Sequence, residues 1–193
     1  MDAWGKMDFP VVGLGASAGG LKALSAFFTA IEARDARPGM AFVVITHLAP
    51  EEESHLAELL QHRTRLPVTQ VADSTEIEVD HVYVLRPNQT LLVRRGRLEP
   101  QARSADVPPH PVDDLFRSLG VECGPWAVAI TLSGTGPNGS AGLPTVKENG
   151  GLILAQTQES CDFPDMPRNA VATGLVDAVL PPDQMIEVLA RYA

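Results

Sequence analysis

A serine, a histidine and an asparagine follow three short apolar runs of this sequence, each at the point where a run ends. Ser17 stands in the pattern Gly-Ala-Ser-Ala-Gly, His47 follows a β-rich run, and Asn138 lies in a glycine-rich loop. The Gly-x-Ser-x-Gly pattern is typical of a nucleophile elbow, in which a sharp turn exposes a serine hydroxyl. A serine activated by a histidine, which a third side chain orients, performs acyl transfer. We therefore expect hydrolysis through a serine nucleophile.

Two other interpretations of the loop around Ser17 remain. Gly13-x-Gly15-x-x-Ala18 matches a dinucleotide-binding fingerprint in its alanine form. That fingerprint requires an acid near the end of the second strand, where His47 stands here, so a nicotinamide or flavin site is disfavoured. Serine is also a favoured N-cap residue, and Ser17 is then simply the start of a helix.

Asn138 occupies the position at which a serine triad has an acid. A carboxylate fixes the histidine tautomer and stabilises the imidazolium, and the exchange of that aspartate for asparagine costs a serine protease about 10⁴ in turnover. Four alternatives stay open: Asn138 is an impaired triad member, a nearby acid replaces it, the Asn138-Gly139 bond deamidates to aspartate, or Asn138 is only a turn or capping residue. The nearby acids are Asp113, Asp114, Asp162 and Asp165.

The elements that must position these residues alternate between β-rich and helical runs. This alternation predicts an α/β fold with a single doubly wound, mainly parallel sheet, helices on both faces and a small antiparallel portion near a hairpin turn at Arg94–Arg97. Because the carboxyl ends of parallel strands share one edge, we expect the three loops of the candidate site to lie together.

The sequence also predicts two helices and a surface loop. Helical periodicity predicts a helix over Ala18–Ile31 and another over Pro111–Leu119, which Gly120 would end as its C-cap. The polar, proline-bearing stretch Pro100–Pro109 is predicted to be a surface loop.

Composition excludes several classes of protein. The chain has 193 residues with 24 acidic and 15 basic side chains, a net charge of −9 that disfavours binding to nucleic acid or an anionic membrane. No apolar run approaches the ~20 residues of a membrane span, and no signal-peptide core is present, so we expect a cytoplasmic protein. Cys123 and Cys161 are expected to be reduced thiols. No metal or other cofactor is expected.

Six motifs, in order along the chain, resemble the catalytic domain of the chemotaxis methylesterases, the CheB family. The motifs are Val12–Gly20, Thr46–Leu48, Asp80–Val84 with Pro87-Asn88, His110–Phe116, Leu132–Gly136 and Met166–Ala170. The resemblance runs from about Phe9 to Tyr192, which predicts one catalytic domain over residues 1–193. It implies a serine hydrolase that cleaves γ-glutamyl methyl esters on chemoreceptor signalling helices, with deamidation of glutamines as a second activity.

The resemblance also assigns roles to individual residues. Ser17 matches the family nucleophile and His47 its base, and Asn138 falls where the family has the triad aspartate. The backbone N–H groups near Ala18 and Thr135 would hold the oxyanion. Arg168 lies in a motif that the family places near the active-site edge, where it contacts an acidic substrate helix or is simply a solvated surface residue.

The sequence departs from the family pattern in two respects. The motif region begins at once, without the usual phospho-receiver domain, and the wording Leu-Ser-Gly-Thr-Gly resembles the group fused to a methyltransferase. A methyltransferase or regulatory domain is therefore an expected partner. The second departure, Asn138, leaves a further interpretation open: a catalytically degenerate domain that binds receptor helices or a regulatory partner.

Overall fold

A computed structural model describes residues 7–34, 36–46, 50–86, 89–102 and 110–192, with the backbone alone at 50–54. Within these ranges the chain forms ten strands and six α-helices. The strands are β1 (Val11–Ala16), β2 (Ala41–Thr46), β3 (Val68–Gln70), β4 (Thr75–Glu76), β5 (Val82–Val84), β6 (Gln89–Arg94), β7 (Arg97–Ala102), β8 (Ala127–Thr131), β9 (Leu152–Gln156) and β10 (Ala178–Leu180). The helices are α1 (Gly20–Glu32), α2 (Pro50–Gln61), α3 (Pro111–Cys123), α4 (Leu143–Glu148), α5 (Asp165–Ala172) and α6 (Met185–Tyr192).

The main sheet of the described residues has seven strands in the order β10-β9-β8-β1-β2-β5-β3, and every pairing in it is parallel. A second sheet, in the order β4-β7-β6, is antiparallel. Its hairpin turns at Arg95 and Gly96, both with positive φ, as the turn at Arg94–Arg97 predicts. The predicted fold class is confirmed.

Two apolar cores lie on opposite faces of the main sheet. One packs the apolar residues of α1, α2 and α6 against β1, β2 and β8, with Phe27, Phe28 and Phe42 in edge-to-face contacts at its centre. The other packs α3, α4, α5 and the small sheet, with Phe116 fully buried. Each strand of β1 and β2 is buried throughout, as expected for a sheet covered on both faces.

Two local predictions differ from the structure. Helix α3 continues through Gly120 to Cys123 and has Gly124 as its C-cap. Gly120 is required for close packing instead, because a Cβ there would lie 2.9 Å from the backbone of Thr145.

Pro100 belongs to β7 and pairs with Leu91, so the predicted surface loop does not begin at Pro100. It is tolerated because β4 pairs only with Arg97 and Leu98, so the missing N–H of Pro100 breaks no ladder. Residues 103–109 lie outside the described ranges.

Tyr83 ties β5 to the segment that leads from the small sheet. Its ring is buried, its hydroxyl donates to the carbonyl of Glu76 at 3.0 Å, and it accepts the N–H of Glu78 at 2.9 Å. We expect Tyr83→Phe to lower the free energy of unfolding by about 1–2 kcal/mol, because both backbone groups lose a partner. Urea denaturation measures this loss. Tyr192→Phe, which removes a more exposed hydroxyl bonded to the Pro125 carbonyl, should cost less; an equal or greater cost there contradicts the prediction.

The lowered pKa of His81 gives the direction in which stability should depend on pH. Its ring stacks on Tyr83 with centroids 4.5 Å apart and hydrogen-bonds Thr69 through Nε2 at 2.8 Å. Burial lowers the pKa of His81, and Glu78 offsets only part of that effect. The unfolded chain therefore binds this proton more readily, and we expect stability to decline as pH falls below about 6.5. His81→Gln should flatten this decline in urea titrations. An unchanged slope in His81→Gln contradicts the assignment.

Candidate active site

The order of the central strands brings two of the three candidate loops to one sheet edge. β1 lies between β8 and β2, with Gly15 paired to Thr131 on one side and to Ile45 on the other. The loop after β1 carries Ser17, and the loop after β8 carries Asn138, as predicted. β2 ends at Thr46, and His47 lies outside the described residues.

Ser17 sits in a tight strand-to-helix turn. The strand ends at Ala16 and α1 begins at Gly20, whose N–H donates to the Ser17 carbonyl at 2.8 Å. The N-cap is Gly19, with φ of +73°, a conformation that glycine adopts without strain. The alternative in which Ser17 is the N-cap residue is therefore wrong. The helix begins directly behind Ser17, so the positive end of its dipole faces this turn.

The two loops are joined by the backbone and by close packing. The Ser17 N–H donates to the carbonyl of Ser133 at 2.9 Å. Gly134 lies against Ser17, because a Cβ at position 134 would be 2.8 Å from the Ser17 Cβ and 2.2 Å from the Met166 sulfur. A residue with any side chain at 134 would push the two loops apart. The glycine-rich composition of the second loop thus serves its approach to Ser17.

Ser133 and the segment before α5 hold the second loop in place. The buried Ser133 hydroxyl donates to the Ala18 carbonyl at 2.9 Å and accepts the N–H of Phe163 at 3.1 Å. Gly134 exchanges backbone hydrogen bonds with Phe163 and Met166, at 2.8 and 3.0 Å. The sequence alone predicts no role for Ser133 or Phe163, although the Met166–Ala170 motif includes part of this segment.

Asn169, which belongs to the same motif, reaches the loop from α5. Its amide nitrogen donates to the Gly136 carbonyl at 3.1 Å. This bond joins α5 to the stretch between Ser133 and Asn138. Periodicity places Asn169 on a helix, but only the fold shows what it contacts.

Asn138 contacts the start of helix α3. Its Oδ1 accepts the backbone N–H of Asp113 at 3.3 Å. Because a backbone N–H can only donate, this contact fixes which amide atom is the oxygen, and the Nδ2 amino group is left facing the other way. Asn138 itself lies in a turn, and the cap of the short helix that follows, Ser140–Gly142, is Gly139. The turn alternative is therefore correct, and the alternative in which Asn138 is the N-cap of that helix is wrong.

Among the four candidate replacement acids, Asp113 is the one in contact with the Asn138 loop. It is 4% exposed, and its Oδ1 accepts the N–H groups of Gly139 and Gly142 at 2.9 and 3.0 Å. The other three acids are ion-paired at the surface. Asp114 pairs with Arg117, Asp162 with Lys22 and Asp165 with Arg168.

The hydrogen bond from Gly139 to Asp113 bears on the deamidation alternative. Deamidation of an Asn-Gly bond begins when the glycine nitrogen attacks the asparagine side-chain carbonyl. Here the Gly139 nitrogen donates to Asp113, and the Asn138 carbonyl oxygen accepts a bond of its own. The Gly139 N–H is thus held by the Asp113 carboxylate, and this bond disfavours the attack that converts Asn138 to aspartate.

The remaining predicted residues lie around this edge. Ala18 is half-exposed, and its N–H has no hydrogen-bond partner within the described part of the chain. Thr135 is exposed in the loop directly after Gly134. Arg168 lies on the exposed side of α5, where it pairs with Asp165 at 3.6 Å. The Arg168 side chain thus pairs within α5, two positions along the chain from Met166.

The cysteines do not compete with Ser17 as nucleophiles. Burial, together with Asp162 and Glu159, raises the pKa of Cys161 to about 11. Burial and Glu122 raise the pKa of Cys123 to about 12. Both residues are therefore thiols at neutral pH, and a thiol is a weak nucleophile.

Two features are absent from the part of the chain that the structure describes. Neither a group of three or more histidine, cysteine, aspartate or glutamate residues suited to a metal ion nor a helix long and apolar enough to cross a membrane occurs in the described ranges.

Comparison with known proteins identifies the family that this fold and site define. The family model described as CheB methylesterase matches residues 12–189. The chain therefore belongs to the CheB methylesterase family.

Two relatives with assigned names agree with this family, and a third relative is uncharacterized. A protein-glutamate methylesterase/protein-glutamine glutaminase of Geobacter metallireducens is 34% identical over 91% of this chain and 48% of its own length. One from Pseudomonas aeruginosa is 33% identical over 95% of this chain and 53% of its own length. An uncharacterized 104.1 kDa protein of Rhodobacter capsulatus is 37% identical over 71% of this chain but only 14% of its own length. The chain thus spans about half, or less, of these relatives.

A solved structure matches the fold. The CheB methylesterase catalytic domain of Thermotoga maritima superposes with a TM-score of 0.85, covering 97% of this chain and 100% of that chain at 24% identity. At this identity the likeness supports the architecture, and the sequence relatives support the family.

Proposed function

We propose that the chain is a serine hydrolase that cleaves γ-glutamyl methyl esters on chemoreceptor signalling helices and deamidates glutamines there. The observation that carries this proposal is the turn of Ser17. Its serine lies at the N-terminus of α1, and its backbone is hydrogen-bonded to the loop that presents Asn138. Family membership and the names of the relatives support this substrate class.

In this reaction the Ser17 Oγ attacks the ester carbonyl while His47 takes the serine proton. The negative charge that forms on the carbonyl oxygen is stabilised by backbone N–H groups of Ala18 and of the loop at Thr135, and by the start of α1. Methanol leaves with the proton from His47. Water then attacks the acyl-serine while His47 takes a proton from the water. His47 gives that proton to the departing Ser17 Oγ, and the receptor is released with a glutamate carboxylate in place of the ester. Arg168 would contact acidic groups of the substrate helix.

Asn138 makes this reaction slow. With its Oδ1 on the Asp113 N–H, it offers an amino group to its other neighbours. An amino group pairs with a histidine nitrogen that lacks a proton. The proton of His47 then resides on the nitrogen that must accept one from Ser17, which is the wrong tautomer for a base. The domain is therefore an impaired esterase.

A second candidate function follows from the same observation. If Asn138 removes turnover altogether, the domain is a module that binds receptor helices, or a methyltransferase or regulatory partner, without hydrolysis. Binding without methanol release distinguishes this function from the first.

Methanol release from a protein with methyl-esterified glutamates tests the proposal. We expect one methanol for each ester lost, at a low rate, and the same sites should release ammonia when they carry glutamine. The relevant control is the same chain with Ser25→Ala, a half-buried serine of α1 away from the turn. Absence of methanol from both the chain and its Asn138→Asp variant would refute the esterase.

A further inference from the structure

Asp113 and Asn138 hold each other across two separate elements. The Asn138 Oδ1 accepts the Asp113 N–H, while the Asp113 Oδ1 accepts the N–H groups of Gly139 and Gly142, the residues that follow Asn138. The Asn138 amide thus satisfies the Asp113 backbone, and the Asp113 carboxylate satisfies the backbone of the two glycines. The three bonds join the first turn of α3 to the Asn138 loop.

The sequence at the start of α3 explains why this arrangement is needed. The N-cap residue His110 makes no side-chain cap bond, and Pro111 has no N–H. The N–H of Asp113 is therefore left for an outside acceptor, and Asn138 supplies it. The second Asp113 oxygen lies 3.8 Å from the His110 Nδ1.

Packing around Val112 keeps the same elements together. A Cβ on Gly15 would lie 2.3 Å from a Val112 methyl group, and a Cβ on Gly139 would lie 2.9 Å from it. Val112 therefore fits between the strand that leads to Ser17 and the loop that carries Asn138. The first turn of α3 is the common support of both loops.

The two N–H groups that Asp113 binds depend on it to different degrees. The Gly142 N–H also lies 3.2 Å from the Gly139 carbonyl oxygen, whereas the Gly139 N–H has the Asp113 carboxylate as its acceptor among the described residues. Gly139 and Gly142 are buried, so water does not replace a lost acceptor easily. Buried donors without a partner are strongly disfavoured, and the loop would move to satisfy them. A shift of about 1 Å in a catalytic group is enough to reduce turnover about 100-fold.

We propose that Asp113 is the positioning residue of this active site: through its carboxylate it sets the place of residue 138, without contacting substrate. The part of this inference that concerns turnover rests on the proposed function. What Asp113 supplies is an acceptor at a fixed position. Two properties of the Asp113 side chain, its acceptor geometry and its charge, therefore have different expected effects.

Two substitutions separate these properties. Asp113→Asn keeps an acceptor oxygen in place and removes the charge, whereas Asp113→Glu keeps the charge and moves the acceptor. Asp113→Ala is a third variant, which removes the acceptor altogether. Each of the three substitutions is made separately in the Asn138→Asp background. Asp114→Ala is the matched control, since Asp114 is the next residue of α3 and pairs with Arg117 at the surface.

Turnover of the ester substrate gives the first readout. We expect Asp113→Ala and Asp113→Glu to lower kcat about 100-fold with KM changed less than about threefold. Asp113→Asn and Asp114→Ala should stay within about fivefold of the Asn138→Asp protein. An Ala variant that keeps its kcat, or an Asn variant that loses as much as Ala, overturns the inference.

Amide hydrogen exchange of Gly139 and Gly142 gives a readout independent of activity. Both amides should exchange slowly in the unsubstituted chain and in Asp113→Asn. In Asp113→Ala the Gly139 amide should exchange at least about tenfold faster, and the Gly142 amide, which keeps the Gly139 carbonyl as an acceptor, should change less. Fast exchange in the unsubstituted chain overturns the inference even if a variant fails to fold. If no variant releases methanol, the proposed esterase fails, and the exchange rates still decide the role of Asp113.

Discussion

Asn138→Asp is expected to raise the rate of methanol release by a factor approaching about 10⁴, the loss that the reverse exchange causes in a serine protease. Aspartate can still accept the Asp113 N–H through one oxygen, as Asn138 does at 3.3 Å. Its other oxygen is then an acceptor where the amide presents an amino group. In the proposed mechanism this acceptor would hold the His47 proton on one ring nitrogen, which frees the other nitrogen to take the proton of Ser17.

Asn149→Asp is the matched control for this gain. Asn149 also precedes a glycine, is exposed, and donates to the Thr145 carbonyl at 2.8 Å within its own helix end. The substitution adds the same charge far from the Ser17 turn and should leave the rate unchanged. The rates are compared at saturating ester. A failure of Asn138→Asp to exceed the unsubstituted chain contradicts the account of Asn138 as the impairing residue.

Ser17→Ala is expected to reduce methanol release by at least about 10³-fold, because no acyl-enzyme can form without the hydroxyl. The experiment is most sensitive in the Asn138→Asp background, where the starting rate is highest. The change removes one oxygen and keeps the Cβ that packs on Gly134, so the two loops should keep their contact.

The control for this loss is Ser25→Ala, which removes a hydroxyl from the same helix and should retain the full rate. Circular dichroism spectra of both variants should match that of the unsubstituted chain, which checks that the variants fold. Retention of most of the activity by Ser17→Ala would show that another group attacks the ester, and the proposed mechanism would be wrong.

The order of elements and the meeting of the Ser17 and Asn138 loops could be predicted from the sequence. Strands of the main sheet read as apolar runs, and parallel strands place their carboxyl ends at one edge. The adjacency of β1 and β8 then brings Ser17 to Ser133. The family resemblance pointed to the same residues.

Contacts that depend on tertiary packing could not be predicted in the same way. Gly120 has the residue type of a C-cap, but its place in the sequence does not show that the backbone of Thr145 lies beside it. Asp113 was one of four candidate acids until the fold placed it alone against Gly139 and Gly142. A serine in an elbow also resembles an N-cap, and only the φ of Gly19 decides between them.

Covalent labelling decides whether Ser17 is the nucleophile. The unsubstituted chain and Asn138→Asp are treated with a fluorophosphonate, and the adduct is located by intact mass and peptide mapping. We predict one adduct per chain, on Ser17, forming faster in Asn138→Asp and absent from Ser17→Ala. A chain that releases methanol while Ser17 stays unlabelled, or that is labelled at another residue, would contradict the assignment of Ser17 as the nucleophile.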